Sequence, residues 1–314
     1  MKIHLIAPSG ATFDQRSPDN AVRYLNEQGI TVENLACVKR VHQRFAGSDV
    51  ERLAEINALA QLEAETIVMV TRGGYGLQRI LAGIDWPALA NVVKHGVQIC
   101  GHSDFTALQL GLLAKTGAIS LAGPMLNYDF GRVNQTGDSS APNSFMWQHF
   151  QRAIKERRLD CNVLQAQSYL GEWQNTKALN GLLWGGNLTI LSTLIGSEFM
   201  PSTDQTRGGI LFLEDINEHP YRLERMLIQL LEAGFLAQQK AILLGDFSGY
   251  RLADNDRGYD FATVIAWLRA RLPNSIPILT GLPFGHCPEK LTLPVGAQAN
   301  LTANLQGFAL QAHW

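Results

Sequence analysis

Cysteine is scarce in this chain of 314 residues: Cys37, Cys100, Cys161 and Cys287 stand far apart, with no CxxC pair among them. That spacing suggests neither a zinc site nor a disulfide framework, and it fits a reducing cytoplasm. Long apolar runs are missing as well, so none supplies the roughly 20 residues of a membrane span. Charge of one sign is absent: 26 basic residues face 28 acidic ones, for a net charge of −2. Without a cationic stripe, neither nucleic acid nor a membrane is an expected partner. The opening MKIHLIAP lacks the apolar core of a signal peptide, because His4 and Pro8 interrupt it. It reads instead as a buried strand. No internal repeat or low-complexity tract is visible.

What is present is enough apolar material, 46% of residues, for a substantial core. In the first half, short β-rich runs at residues 3–7, 66–70, 97–100 and 118–121 alternate with helical spacing at 20–28, 48–61 and 104–115. Ser48 and Glu51 have the spacing of a capping box. Such alternation predicts a parallel sheet covered by helices. A turn-rich stretch follows at 131–144, then an amphipathic segment at 145–157. Beyond it, 209–213 and 241–247 read as strands and 220–233 as a helix opened by Pro220. The tail, 291–310, carries short β runs separated by Pro and Gly. Two domains are expected: 1–155, a linker at 156–169, and 170–314.

The sharpest chemical signal is Cys100-Gly101-His102-Ser103-Asp104-Phe105-Thr106, which sets a serine between a buried strand and a helix. That is the context of a nucleophile elbow. Phe105 replaces the last glycine of the usual motif, and a serine there also serves as an ordinary helix cap. Thr71-Arg72-Gly73-Gly74-Tyr75-Gly76 follows another strand, and its glycines allow backbone N–H groups to approach a bound oxygen. It lacks the lysine of a P-loop and the spacing of a dinucleotide fingerprint. For a base, His102 adjoins Ser103, where neighbouring side chains diverge. His219 and His286 remain, with His286 in a Gly/Pro loop that slightly favours it. Either Glu214 or Asp215, at a strand end, suits the orienting carboxylate. Asp254, Asp256 and Asp260 read as a solvated loop.

Taken in order, IAPSG, RFAG, TRGGYG, ICGHSDFTALQ, LAGPML, LWGGNLTIL, LFLEDINEHPYRLERML, AILLGDFSG and LPFGHCPEKLTLPVGA resemble the LD-carboxypeptidase family of serine peptidases. They look like its murein tetrapeptide branch specifically. The resemblance implies a flavodoxin-like N-terminal domain and a smaller β-rich α/β C-terminal domain, with the active site between them. It implies Ser103 as nucleophile, Glu214 as acid and His286 as base, with the N–H groups of Gly74 and Asp104 as oxyanion hole. No metal or organic cofactor is expected. The implied reaction releases the terminal D-alanine of murein tetrapeptides, free or in sugar- or nucleotide-linked form, by a cytoplasmic homodimer. Candidate substrate contacts are Arg72, Gly73, Trp184, Gly186 and Asn187, with Arg72 or the Gly185–Asn187 turn holding the terminal carboxylate. One alternative is an immunity-type amidase of the same family acting on peptidyl or aminoacyl nucleotide toxins, with Trp184 stacked on the base. The other is a non-catalytic peptide- or phosphate-binding protein. Cys287-Pro288, directly after His286, departs from the family pattern without removing a catalytic atom.

Overall fold

The computed structural model describes residues 1–133, 140–164, 168–169 and 177–314. Parts of the stretches at 131–144 and 156–169 lie outside them. Two sheets form. The first runs Leu293–Val295, Ser120–Ala122, Gln98–Gly101, Thr66–Val70, Lys2–Ile6, Thr31–Glu33, with only the first of these antiparallel to its neighbour. Its five parallel strands follow the flavodoxin order 2-1-3-4-5. Strand Thr66–Val70 is buried at every position, as a sheet covered on both faces requires. The Ser48 hydroxyl accepts the Glu51 N–H and the Glu51 carboxylate accepts the Ser48 N–H, the capping box expected at this helix start.

The second sheet runs Arg158–Leu164, Gly307–His313, Gln298–Asn304, Lys177–Asn187, Ile210–Ile216, Ala241–Ser248, Ile278–Thr280, Ser168–Tyr169. Its long strand Lys177–Asn187 has two partners: antiparallel Gln298–Asn304 along its first part and parallel Ile210–Ile216 along its last. Residues 158–164, expected within a linker, instead pair antiparallel with Gly307–His313. Leu159 and Cys161 are the buried members of its alternating pattern.

The two sheets share one core. Helix Thr106–Thr116 is buried along residues 106–113 and lies between them. A Cβ at Gly111 would stand 2.6 Å from the Trp86 ring, and one at Gly186 would stand 2.6 Å from Thr106 Oγ1, so both close approaches depend on glycine. No helix among the described residues is long and apolar enough to cross a membrane. The carboxyl ends of the parallel strands of both sheets face a common cleft. This is where open α/β sheets place ligands.

Candidate active site

A cleft of about 830 Å³ opens at these strand ends, lined by loops from both halves. Ser103 sits on its floor. The residue follows strand Gln98–Gly101, begins a short 3-10 turn and leads into helix Thr106–Thr116. Its φ of 63° is left-handed, a conformation that costs a non-glycine residue roughly 1–2 kcal/mol. Such local strain is what a sharp strand-to-helix elbow demands. The glycine loop packs directly on it: a Cβ at Gly73 would lie 2.7 Å from Ser103 Cβ and 2.8 Å from Ser103 Oγ. Gly74 has φ 110°, lines the cleft, and its N–H makes no hydrogen bond among the described residues.

The Asp104 side chain locks this arrangement from behind. Its carboxylate accepts the Ser9 hydroxyl at 2.6 Å and the Leu77 N–H at 3.1 Å, tying the elbow to the loops after the first and third strands. Burial pushes its pKa up, against the opposing pull of those two hydrogen bonds. Arg52, fully buried, donates to the carbonyls of Pro8 and Gly76 and so holds the same two loops.

Three groups from separate segments meet here. His286 Nε2 is 3.2 Å from Ser103 Oγ, and His286 Nδ1 is 2.8 Å from Glu214 Oε2. Glu214 is completely buried, and its other oxygen accepts the Asn187 side-chain N–H at 3.1 Å. Burial alone would lower the His286 pKa; the hydrogen bond and charge of Glu214, with Asp215 behind it, outweigh burial and Lys290 and raise it.

Asp215, the other candidate carboxylate, makes no hydrogen bond to His286 among the described residues. It accepts the Thr189 N–H at 2.8 Å and hydroxyl at 2.7 Å, at the start of helix Leu188–Leu194. Its pKa is pushed up to about 6, chiefly by burial and then by the neighbouring Glu214 charge, against the pull of Thr189. His219 stands apart, 3.1 Å from Asp256.

Of the expected substrate contacts, Arg72 and Gly73 line the cleft. Arg72 Nη1 donates to the Ala11 carbonyl at 3.0 Å, and the guanidinium lies 5.9 Å from the centre of the Tyr128 ring. Three others do not line it. Trp184 is fully buried, donates from its indole to Gln239 at 3.0 Å and packs near Phe235, so it offers no stacking face. Gly186 packs on Thr106, and Asn187 caps helix Leu188–Leu194 while donating to Glu214 and Asp215. The Gly185–Asn187 turn therefore supports the carboxylates from behind and does not face an anion in the cleft.

Sequence reasoning passed over Asp129 and Lys290, an ion pair in the cleft floor, and dismissed His102, which contacts it. No local pattern singles out Lys290, which stands beside Glu289 in the mixed stretch 287–292.

Models of the LD-carboxypeptidase N-terminal and C-terminal domains match residues 3–123 and 180–301. A probable murein peptide carboxypeptidase of Bacillus subtilis is 32% identical over 99% of this chain and 91% of its own. The crystal structure of muramoyltetrapeptide carboxypeptidase from Oxalobacter formigenes superposes with a TM-score of 0.85 at 41% identity, covering 100% of this chain and 99% of that one. The microcin C7 self-immunity protein MccF, bound to aspartyl sulfamoyl adenosine, gives 0.82 at 23% identity over 98% and 95%, a likeness of fold alone. With both domain models matched in order along one chain, the protein belongs to the LD-carboxypeptidase family of serine peptidases.

Proposed function

We propose that the protein hydrolyses the amide bond that holds the terminal D-alanine of murein tetrapeptides, free or in sugar- or nucleotide-linked form. The line Ser103–His286–Glu214, at the floor of an open cleft in a member of this peptidase family, carries the reading. Residues 1–155 contribute the nucleophile and oxyanion loop, and residues 170–314 the base and its carboxylate.

In this reaction Ser103 Oγ attacks the carbonyl of the diamino acid at position three of the stem peptide. His286 Nε2 takes the hydroxyl proton while Glu214 holds Nδ1–H and stabilises the imidazolium. The N–H groups of Gly74 and Asp104 receive the oxyanion, each worth about 2.7–4 kcal/mol in comparable sites. The C–N bond then breaks, and His286 passes its proton to the departing D-alanine amine. Water attacks the acyl-serine with His286 again as base, releasing the tripeptide and restoring Ser103.

Arg72 is the proposed anchor for the terminal carboxylate, because its guanidinium is held at the cleft wall next to Gly73. A charge-assisted hydrogen bond of this kind contributes about 1.5–3 kcal/mol. In the rival nucleotide reading Trp184 is the residue offered to stack on the base, and it is fully buried away from the cleft. The proposal keeps the protein in the cytoplasm, where its four free thiols suit the redox state. It also makes the protein a homodimer, which sedimentation of the purified chain checks.

Mass spectrometry of free murein tetrapeptide incubated with wild type and Ser103→Ala tests the reaction. Loss of one D-alanine with the wild type alone is the expected outcome. An intact peptide with folded wild type would sink the substrate assignment, and an active Ser103→Ala would sink the serine mechanism.

A further inference from the structure

The cleft floor holds a second buried array that the proposed reaction does not use. Lys290 is 1% exposed, and lysines are rarely so buried unless paired. Its Nζ donates to both carboxylate oxygens of Asp129, at 2.8 and 3.0 Å, and to His102 Nε2 at 3.2 Å. His102 donates from Nδ1 to the Gly123 carbonyl at 2.8 Å, and Asp129 also accepts the Met125 N–H at 2.8 Å. An ammonium has three donors, and all three are engaged inside the protein. The array is therefore not a ligand site.

Its geometry instead joins the two halves of the molecule. Asp129 and His102 belong to the N-terminal half, whereas Lys290 shares a loop with His286. The Leu291 N–H donates to the Pro283 carbonyl at 2.7 Å, and the Asp246 N–H donates to the Phe284 carbonyl at 2.8 Å; together they close residues 283–291 at the base. One arm of that loop sets His286 against Ser103. The other sets Lys290 against His102, the residue directly before Ser103. The rings of His102 and His286 meet edge to face with centroids 5.2 Å apart.

We propose that Lys290, clamped between Asp129 and His102, is a positioning residue that fixes the His286 loop against the Ser103 elbow. This inference rests on the serine-peptidase reading given above. An ion pair kept for stability alone is replaceable by apolar side chains of similar volume, because burying two charges costs about what their attraction returns. A clamp that sets the distance between nucleophile and base is not replaceable, since misplacing reacting groups by about 1 Å costs on the order of 100-fold in rate. Consistent with the array, burial, Lys290 and His286 together hold the His102 pKa well below the usual histidine range.

The test removes both charges at once, as Asp129→Leu with Lys290→Met, so that no unpaired ion is left in the core. D-alanine release from murein tetrapeptide is followed for wild type, Ser103→Ala and the double variant. The expected result is a fall in kcat of roughly 100-fold with KM within about threefold of wild type. A folded double variant with wild-type kcat overturns the positioning role and leaves the functional reading standing. A folded wild type that releases no D-alanine overturns both. A second measurement needs no variant: nitrogen-15 NMR of the histidines in the wild-type chain. His102 is expected to stay neutral, protonated on Nδ1, through the range in which an ordinary histidine titrates. An ordinary titration of His102 in that range overturns the clamp.

Discussion

Replacing Glu214 by glutamine exchanges one buried oxygen for an amide nitrogen and sends the consequence straight to His286, the proposed base. Asn187 donates its amide N–H to Glu214 Oε1 at 3.1 Å, so that position requires an acceptor. A glutamine satisfies it with its carbonyl oxygen and thereby turns its NH₂ toward His286 Nδ1, where the carboxylate oxygen now sits at 2.8 Å. Nδ1 must then accept, which leaves the ring proton on Nε2, facing Ser103 Oγ at 3.2 Å. In that tautomer the imidazole cannot take the serine proton. The corresponding amide substitution in a serine protease triad lowers kcat about 10⁴-fold, equivalent to about 5 kcal/mol of transition-state stabilisation. Because Glu214 is fully buried and touches no substrate, KM is expected to change little. The pH profile supplies a signed check. Glu214 is what raises the His286 pKa against the effect of burial, so its neutralisation lets that pKa fall, and the acidic limb of any residual kcat/KM moves to lower pH. Steady-state D-alanine release by Glu214→Gln, with thermal unfolding as the control for folding, decides the matter. A folded variant retaining more than about a tenth of wild-type kcat would refute the tautomer argument.

Gly73→Ala is expected to lower kcat by roughly 100-fold with little change in melting temperature, because its new Cβ lands 2.7 Å from Ser103 Cβ and must displace the elbow; wild-type kcat would show that the loop yields freely. Arg72→Ala should raise KM about 10- to 100-fold, the equivalent of one charge-assisted hydrogen bond, and an unchanged KM removes it as the carboxylate anchor. Trp184→Phe should cost about 1–3 kcal/mol in denaturant unfolding, since Gln239 loses its indole donor, with catalytic constants unaltered. For Asp215, the folded pKa of about 6 lies above the ordinary aspartate value of 3.8, so the stability linked to this group is present in full below about pH 4 and is lost as pH rises through about 6. The wild type should therefore lose about 3 kcal/mol relative to Asp215→Asn across that window, and parallel curves would contradict the assignment.

Residues near one another in the chain were the readable ones. Strand, turn and helix around Ser103 announced the elbow, and Ser48 with Glu51 announced a helix start, because both signals lie within a few positions. The pair Glu214-Asp215 was not separable locally. Successive strand residues project to opposite faces, and which face meets a histidine 72 residues later is decided by tertiary packing. In the sequence Gly185-Gly186 suggests a turn that would bring Trp184 to the cleft, whereas the strand continues through both glycines to Asn187. Residues 158–164 carried an alternating signal in Leu159, Cys161 and Val163, but the partner strand is the last in the chain. Lys290 had no readable role because its partners lie 161 and 188 positions away.

The chain crosses between sheets at the point where alignment matters. It leaves the second sheet after Ile278–Thr280, forms the loop that carries His286 and Lys290, and enters the first sheet as Leu293–Val295. There it pairs antiparallel with Ser120–Ala122, beside the strand that ends at Gly101. It then returns to the second sheet at Gln298–Asn304. Two units joined by an ordinary polar interface would move relative to each other by default. Here a single hydrophobic cluster runs through both, and the loop that carries His286 is hydrogen-bonded into a different sheet at each end. Main-chain pairing thus brings His286 to the Ser103 elbow, and in the proposed mechanism the side-chain contacts of Glu214 and Lys290 set the last ångström, the interval over which proton transfer is won or lost.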